Sequence, residues 1–177
     1  PKPSSAASDV YKRQDLITEV DVGFVMGKPH YQFVDRIGDT FRWRSENVST
    51  NEVGEILNAN SQVEIANVYG VDIPATEGKA GMVSVALNPG QAFDPEEFSA
   101  YVTSNLPGFA QPVFVRIQAD ISTTGTFKLV KGALRKQSFH LDQVGDDAIY
   151  VMLPRASHYQ ILDSETYSAV MNGTVGY

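Results

Sequence analysis

Hydrophobic positions along the chain change their spacing several times, and each change marks an element. Phe41-Arg42-Trp43-Arg44 alternates aromatic and basic residues, the period-two pattern of a half-buried strand. Over Thr50–Asn58 the apolar residues Val53, Ile56 and Leu57 recur at helical spacing, and Ser49 followed by Glu52 makes a capping box at the helix start. Val63–Val71 alternates again and predicts a strand, and the largely apolar run Gly81–Leu87 predicts a second. Asp94-Pro95-Glu96-Glu97 starts another helix, with Asp as cap, proline at the first position and acid in the first turn. That helix reaches about Asn105 and buries Phe98, Tyr101 and Val102. After the Pro/Gly loop Leu106–Pro112, a third strand is predicted over Pro112–Ile117. Gly132–Phe139 reads as a short helix, His140–Asp147 as an acidic loop, Ala148–Leu153 as a strand and Asp163–Met171 as a last helix. Upstream, Asp15-Leu16-Ile17 opens a β-prone run, and Val20–Met26 is predicted to pair with Tyr31–Val34 through Gly27-Lys28-Pro29. The order predicts an α+β fold: a small mixed sheet with packed helices, preceded by a β-hairpin.

Composition narrows the function classes. The 177 residues are 42% hydrophobic, enough for a real core in one domain or one domain with a tail. A net charge of −7 argues against a general nucleic-acid binder, which needs a basic surface. A nucleic-acid contact through Arg36, Arg42 and Arg44 is therefore disfavoured. With no cysteine there is no disulfide framework and no thiol chemistry. His30, His140 and His158 are too scattered to suggest a metal cluster. No apolar run approaches the ~20 residues of a membrane helix, and no signal peptide is visible, so the expectation is a cytoplasmic protein. Pro1–Gln14 is rich in Pro, Ser and Ala and ends in Asp9-Val10-Tyr11-Lys12-Arg13-Gln14. It reads as an artefactual or disordered leader and is set aside from the fold.

Two stretches carry candidate chemistry. The first runs from Phe33 to Thr50 and packs arginines, a tryptophan and the turn Gly38-Asp39 around a single flexible point. Gly38-Asp39 is a turn signal, because glycine accepts backbone angles that other residues resist. Arg36 has the planar fork that suits an anion; the plainer reading is a surface arginine paired with Asp35 or Asp39. Trp43 reads as a core or interface anchor. The second stretch, Ser122-Thr123-Thr124-Gly125-Thr126-Phe127-Lys128-Leu129-Val130-Lys131, is a polar glycine-containing run that ends in lysines. It lacks the spacing of a P-loop, so Lys128 is not a phosphate-cradle lysine of that kind. Tyr150, Tyr159 and Tyr167 read as packing residues.

The wording Val34-Asp35-Arg36-Ile37-Gly38-Asp39-Thr40-Phe41-Arg42-Trp43, continued by Glu46-Asn47-Val48-Ser49-Thr50, resembles the hinge segment of the acyl-adenylate-forming, AMP-binding superfamily. It is similar above all to the very-long-chain acyl-CoA synthetases, or fatty-acid transport proteins. Ser45 stands where that family commonly has glycine. Thr124-Gly125-Thr126-Phe127-Lys128, followed by Lys131 and Leu134-Arg135, resembles the C-terminal lysine motif of the same branch.

The resemblance implies a division of the chain. Residues 15–37 would end a large domain, residues 38–140 would form its C-terminal lid, and residues 141–177 would be a C-terminal extension. It implies that Lys128 serves adenylation, that Asp15 and Arg36 contact the nucleotide, and that Gly38 and Asp39 form the hinge. Ser45, Glu46 and Asn47 would form a loop along a coenzyme A tunnel. The substrates implied are a fatty acid, ATP (leaving as AMP) and coenzyme A. Mg²⁺ and the acyl pocket would belong to an N-terminal domain not contained in this sequence, so the fragment alone is expected to be inactive. The branch also suggests peripheral membrane association. A stand-alone binding module of the same fold is the alternative.

Overall fold

The computed structural model describes residues 40–119, 121 and 131–177, together with the backbone of 15–19 and 31–36. β1 (Asp15–Glu19) pairs antiparallel with β2 (Tyr31–Arg36). The partner of β2 is thus Asp15–Glu19, upstream of the expected Val20–Met26, which lies outside the described residues. β3 (Phe41–Trp43) and β4 (Glu46–Val48) form a second antiparallel pair. The main sheet follows: β5 (Val63–Val71), β6 (Ala80–Leu87), β7 (Phe114–Gln118), β8 (Ala148–Val151) and β9 (Gln160–Ile161), side by side in that order. β6 and β7 run parallel and the other neighbours antiparallel. The expected mixed sheet with packed helices is the observed architecture.

Among the described residues, four helices flank these strands. α1 (Thr50–Asn58) begins as expected, with Ser49 Oγ accepting from the Glu52 amide at 3.3 Å. α2 (Pro95–Asn105) is capped by Asp94, whose carboxylate accepts from the amides of Glu96 and Glu97. It supplies the long crossover that a parallel pair such as β6–β7 requires. α3 (Gly132–Gln137) is short, and α4 (Ser164–Met171) starts at Asp163, which accepts from the Thr166 amide at 2.8 Å. In these caps a side-chain oxygen satisfies a helix-end amide that has no partner within the helix.

Val53 and Leu57 of α1, Phe98 and Val102 of α2, and Leu134 of α3 enter one core with Val68, Met82, Val85 and Phe114 of the sheet. Each fully buried side chain of this size stabilises the fold by roughly 1.5–3 kcal/mol. Every residue from Ala80 to Ala86 is buried, so β6 lacks the alternation of a half-wet strand and reads as a central one. Tyr101 differs from expectation: it is half-buried, and its hydroxyl donates to the Ile56 carbonyl at 2.8 Å, tying α2 to α1.

Residues 141–177 complete the same core. Tyr159 is fully buried, lies against Phe98, and donates to the Pro112 carbonyl at 2.6 Å. Its amide donates to Ser99 Oγ at 2.8 Å, which fastens the β8–β9 connection to α2. Tyr150 packs on Phe93 and Tyr167 on Phe139, so the three tyrosines are packing residues as expected.

Candidate functional site

The β3–β4 hairpin shows how short strands can still be placed firmly. Register sets Phe41 opposite Val48 and Arg42 opposite Asn47. Phe41, Trp43 and Val48 therefore point to the core, while Arg42, Arg44, Ser45, Glu46 and Asn47 are exposed. Phe41 lies over Gly70 and Gly81, which face each other across β5 and β6. A Cβ on Gly70 would sit 2.6 Å from the Phe41 Cβ, so the ring occupies space that two missing side chains leave. Beside it, the Lys79 amide donates to the Arg42 carbonyl at 2.7 Å. Trp43 bridges to Gly78, whose φ of +87° suits glycine.

The segment Ser45-Glu46-Asn47 differs from the expected loop. Glu46 and Asn47 belong to β4, and the connection is a two-residue turn, Arg44-Ser45, with φ of 51° and 68°. Positive φ at both central residues is the twist that matches antiparallel strands, and it usually recruits Gly or Asn. Here it is carried by an arginine and a serine, at a cost on the order of 1 kcal/mol each. Ser45, where a glycine was expected, is one of the two.

The lysine segment is bracketed on both sides. β7 ends at Gln118 and Ile121 is buried; the described chain resumes at Lys131, which leads into α3. Lys128 lies outside the described residues, as do Gly38 and Asp39. Lys131 Nζ donates to Thr50 Oγ1 at 2.8 Å, at the first residue of α1. Thr50 is buried, and 81 positions separate the two residues. The lysine segment thus re-enters the fold against the helix that follows the β3–β4 hairpin.

A buried polar network fixes α3 from below. Arg116 on β7 is buried and donates through Nε and one terminal nitrogen to Asp147, each at 2.7 Å. Its other terminal nitrogen donates to Gln137 Oε1 at the end of α3, also at 2.7 Å. Gln118 adds a bond to the same Asp147 oxygen at 3.1 Å. Next to this cluster the Tyr69 hydroxyl bonds Ser84 Oγ at 3.0 Å. Burial pushes the Tyr69 phenol up to about 12.

Of the residues the sequence singles out, Asp15 and Arg36 are brought together as directly opposed partners of β1 and β2. Ser45, Glu46 and Asn47 share the exposed tip and outer strand of the hairpin. Sequence reasoning did not find Thr50 as a partner of Lys131, because no local pattern signals a contact across 81 positions. Among the described residues no group of three acidic or histidine side chains is placed to hold a metal ion.

A five-stranded mixed sheet with α2 crossing between its parallel strands recurs in solved proteins. The coronafacic acid ligase of Pectobacterium brasiliense superposes with a TM-score of 0.60 at 16% identity, over 78% of this chain and 25% of that one. ATP-bound MatB of Rhodopseudomonas palustris does so at 0.60 and 18%, over 75% of this chain and 27% of its own. These likenesses define the fold class, a small mixed sheet with packed helices. The sequence adds a family match: residues 52–128 match the AMP-binding enzyme C-terminal domain. It is 41% identical over 160 residues to long-chain fatty acid transport protein 5 of Mus musculus, covering 90% of this chain and 22% of the relative. It is 44% identical over 132 residues to the medium/long-chain-fatty-acid–CoA ligase FadD6 of Mycobacterium tuberculosis, covering 75% of this chain and 22% of the ligase. The chain thus spans about a fifth of the length of these curated relatives, 22% in each case.

Proposed function

We propose that this chain is the C-terminal part of an ATP-dependent fatty acid–CoA ligase. The observation that carries the reading is that the domain match closes on Lys128, the lysine of the Thr-Gly-Thr-Phe-Lys run. The similarity to a fatty-acid–CoA ligase and to fatty acid transport proteins supports the choice of substrate.

The reaction has two halves. A fatty-acid carboxylate oxygen attacks the α-phosphorus of ATP, the bond to the β-phosphate oxygen breaks, and acyl-AMP and pyrophosphate form. Two anions are forced together, and the Lys128 ammonium on its long stem neutralises charge as it builds in the transition state. The thiol of coenzyme A then attacks the acyl carbon, loses its proton, and expels AMP. Between the halves the lid turns about Gly38 and Asp39, withdraws Lys128 and brings Ser45, Glu46 and Asn47 toward coenzyme A. Asp15 accepts hydrogen bonds from the ribose hydroxyls, and Arg36 donates to ribose and phosphate. Their opposition in β1 and β2 supports a shared nucleotide role. Mg²⁺, the acyl pocket and most nucleotide contacts belong to a large N-terminal domain, so these 177 residues alone are inactive. The protein works in the cytoplasm, peripheral to the membrane that holds its substrate. Among the described residues no helix is long and apolar enough to cross a membrane.

In the protein that joins this lid to its large domain, Lys128→Ala abolishes fatty-acid-dependent ATP–pyrophosphate exchange. It largely spares thioester formation from supplied acyl-AMP. Normal exchange in that variant overturns the assignment. A second reading, a non-catalytic binding module, is favoured by the self-contained core around Tyr159, Phe98 and Phe114. A gene with no large domain upstream of Asp15 would favour that reading over the first.

A further inference from the structure

Asn172-Gly173 is the one Asn-Gly pair in the 177 residues, and it lies where α4 ends. We propose that Asn172 is a site of spontaneous deamidation whose rate is gated by the last turn of α4. Neither the site nor its gate depends on the ligase reading. The Gly173 nitrogen, once it has lost its proton, attacks Asn172 Cγ. The bond from Cγ to the side-chain nitrogen breaks, ammonia leaves, and a cyclic imide closes. Water then opens either imide carbonyl and leaves an aspartate or a β-linked isoaspartate at this position. Glycine favours the ring, because it has no Cβ to obstruct the approach and its backbone turns freely.

The helix cap places both partners. The chain leaves α4 through a Schellman turn: the Gly173 amide donates to the Val170 carbonyl at 3.1 Å, and the Thr174 amide to the Ala169 carbonyl at 3.1 Å. Gly173 takes φ of +68°, and a Cβ on it would lie 2.9 Å from the Ala75 Cβ. Packing against the loop after β5 thus requires glycine here, which keeps the reactive neighbour in place. Asn172 is exposed, and among the described residues its carboxamide makes no hydrogen bond. Other asparagines differ. Asn58 and Asn60 each hold the side-chain oxygen on a backbone amide, that of Ala66 at 2.7 Å and that of Gln62 at 2.9 Å. Asn88 precedes a proline, which has no N–H to lose.

The same turn holds the reaction back. The nitrogen that must attack is the one whose N–H is bound to Val170, and Asn172 keeps a helical backbone with φ of −84° and ψ of 0°. While that bond is made, the proton stays on and the nitrogen is turned to the Val170 carbonyl. Helix ends open far more often than cores do, so this gate is low. Reclosing does not undo the product. A negative charge at the C-terminal end of a helix opposes the macrodipole, and isoaspartate lengthens the main chain inside the turn. Each conversion therefore weakens the cap that slowed it. The tail beyond, which reaches back through the Tyr177 hydroxyl to the Met152 carbonyl at 3.3 Å, loosens in turn.

The test incubates the full chain at mildly alkaline pH, in buffer and in guanidinium chloride, and follows the peptide carrying Asn172 by mass spectrometry. In buffer Asn172 converts roughly 10-fold more slowly than in denaturant, as expected of a helix end closed about nine-tenths of the time. Thr174→Pro, which removes the second amide of the turn, brings the rate in buffer to within about threefold of the denatured rate. Asn172→Gln abolishes the reaction at this position, since the ring would need a further atom. The melting temperature of the wild-type chain falls during incubation, and that of Asn172→Gln does not.

No conversion at Asn172 even in guanidinium chloride overturns the site. Equal rates in buffer and in denaturant, with the fold intact by its melting temperature, overturn the gate. So does a folded Thr174→Pro variant that converts no faster than wild type. Should that variant fail to fold, Thr174→Ala takes its place: it loses only the hydroxyl bond to the Ala169 carbonyl at 3.0 Å and must still speed conversion in buffer.

Discussion

Arg116 and Arg42 both stand in strands of this fold, and the regions around them are held in opposite ways. Arg116 is buried in the sheet interior, where its fork is taken up by Asp147 and Gln137. Arg42 is exposed on the β3–β4 hairpin, which is held by its other face: Phe41 over two glycines and Trp43 beside Gly78. One region gains its geometry from directed bonds in a desolvated setting, the other from shape. The first tolerates no missing partner, since a buried charge left alone cannot recover its hydration. The second tolerates changes on its outer face but none that fill the space under Phe41. For function this means that the floor beneath α3 is stiff, whereas the hairpin can present varied polar groups at its tip.

The difference can be tested from its strongest side. Asp147→Ala leaves the Arg116 guanidinium buried without its carboxylate and is expected to destabilise the fold by about 3 kcal/mol, read from urea unfolding. Adding Arg116→Met recovers most of that loss, because the uncompensated charge is removed. A single variant with a loss below about 1 kcal/mol would mean that the network is not saturated as described.

A smaller effect comes from pH. Tyr69 keeps its proton up to about 12 in the folded state, because burial penalises the phenolate, and releases it near 10 when unfolded. Between those values the unfolded chain binds fewer protons, so stability falls as pH rises from about 10 to about 12. Each such tyrosine contributes a slope of at most about 1.4 kcal/mol per pH unit. Burial also pushes Tyr159 and Tyr177 well above the ordinary tyrosine range, which adds to the same alkaline loss. Tyr69→Phe should flatten the fall in an alkaline unfolding series; an unchanged profile would remove Tyr69 from the account.

The hairpin gives the smallest effect, and it has the opposite sign. Ser45→Gly relieves a left-handed serine at φ 68° and is expected to stabilise the fold by about 0.5–1 kcal/mol. A Gly substitution at exposed Asn47, whose backbone is an ordinary strand, should not stabilise. Equal responses at the two positions would deny the strained turn.

What could be read from the residues alone follows the length of each element. α1, α2 and β5 lie where the periodicity and the caps at Ser49 and Asp94 put them, since each spans enough residues for a pattern to repeat. β4 has three residues and β9 two, too few for any period to register, so Glu46 and Asn47 read as loop and β9 has no counterpart among the predicted elements. β7 begins at Phe114, two residues after the expected Pro112, which has no amide hydrogen to offer a ladder. The hairpin partner of β2 was misplaced for another reason. Val20–Met26 is more β-prone than Asp15–Glu19, but β2 pairs with Asp15–Glu19, and propensity alone does not settle strand pairing. Among the candidate site residues, the opposition of Asp15 and Arg36 and the bond between Lys131 and Thr50 are tertiary facts with no local signature.

The notch formed by Gly70 and Gly81 also limits how this fold can be recombined with others. Phe41 and the two glycines are one fitted part divided between distant stretches of the gene. A crossover placed after Val48 would pair one parent's aromatic ring with another parent's sheet, and any side chain at either glycine would then collide with it. A junction upstream of Thr40 inherits ring and notch together. Exchanges that respect this boundary should yield folded hybrids, and those that cut through the hairpin should need the glycines carried along.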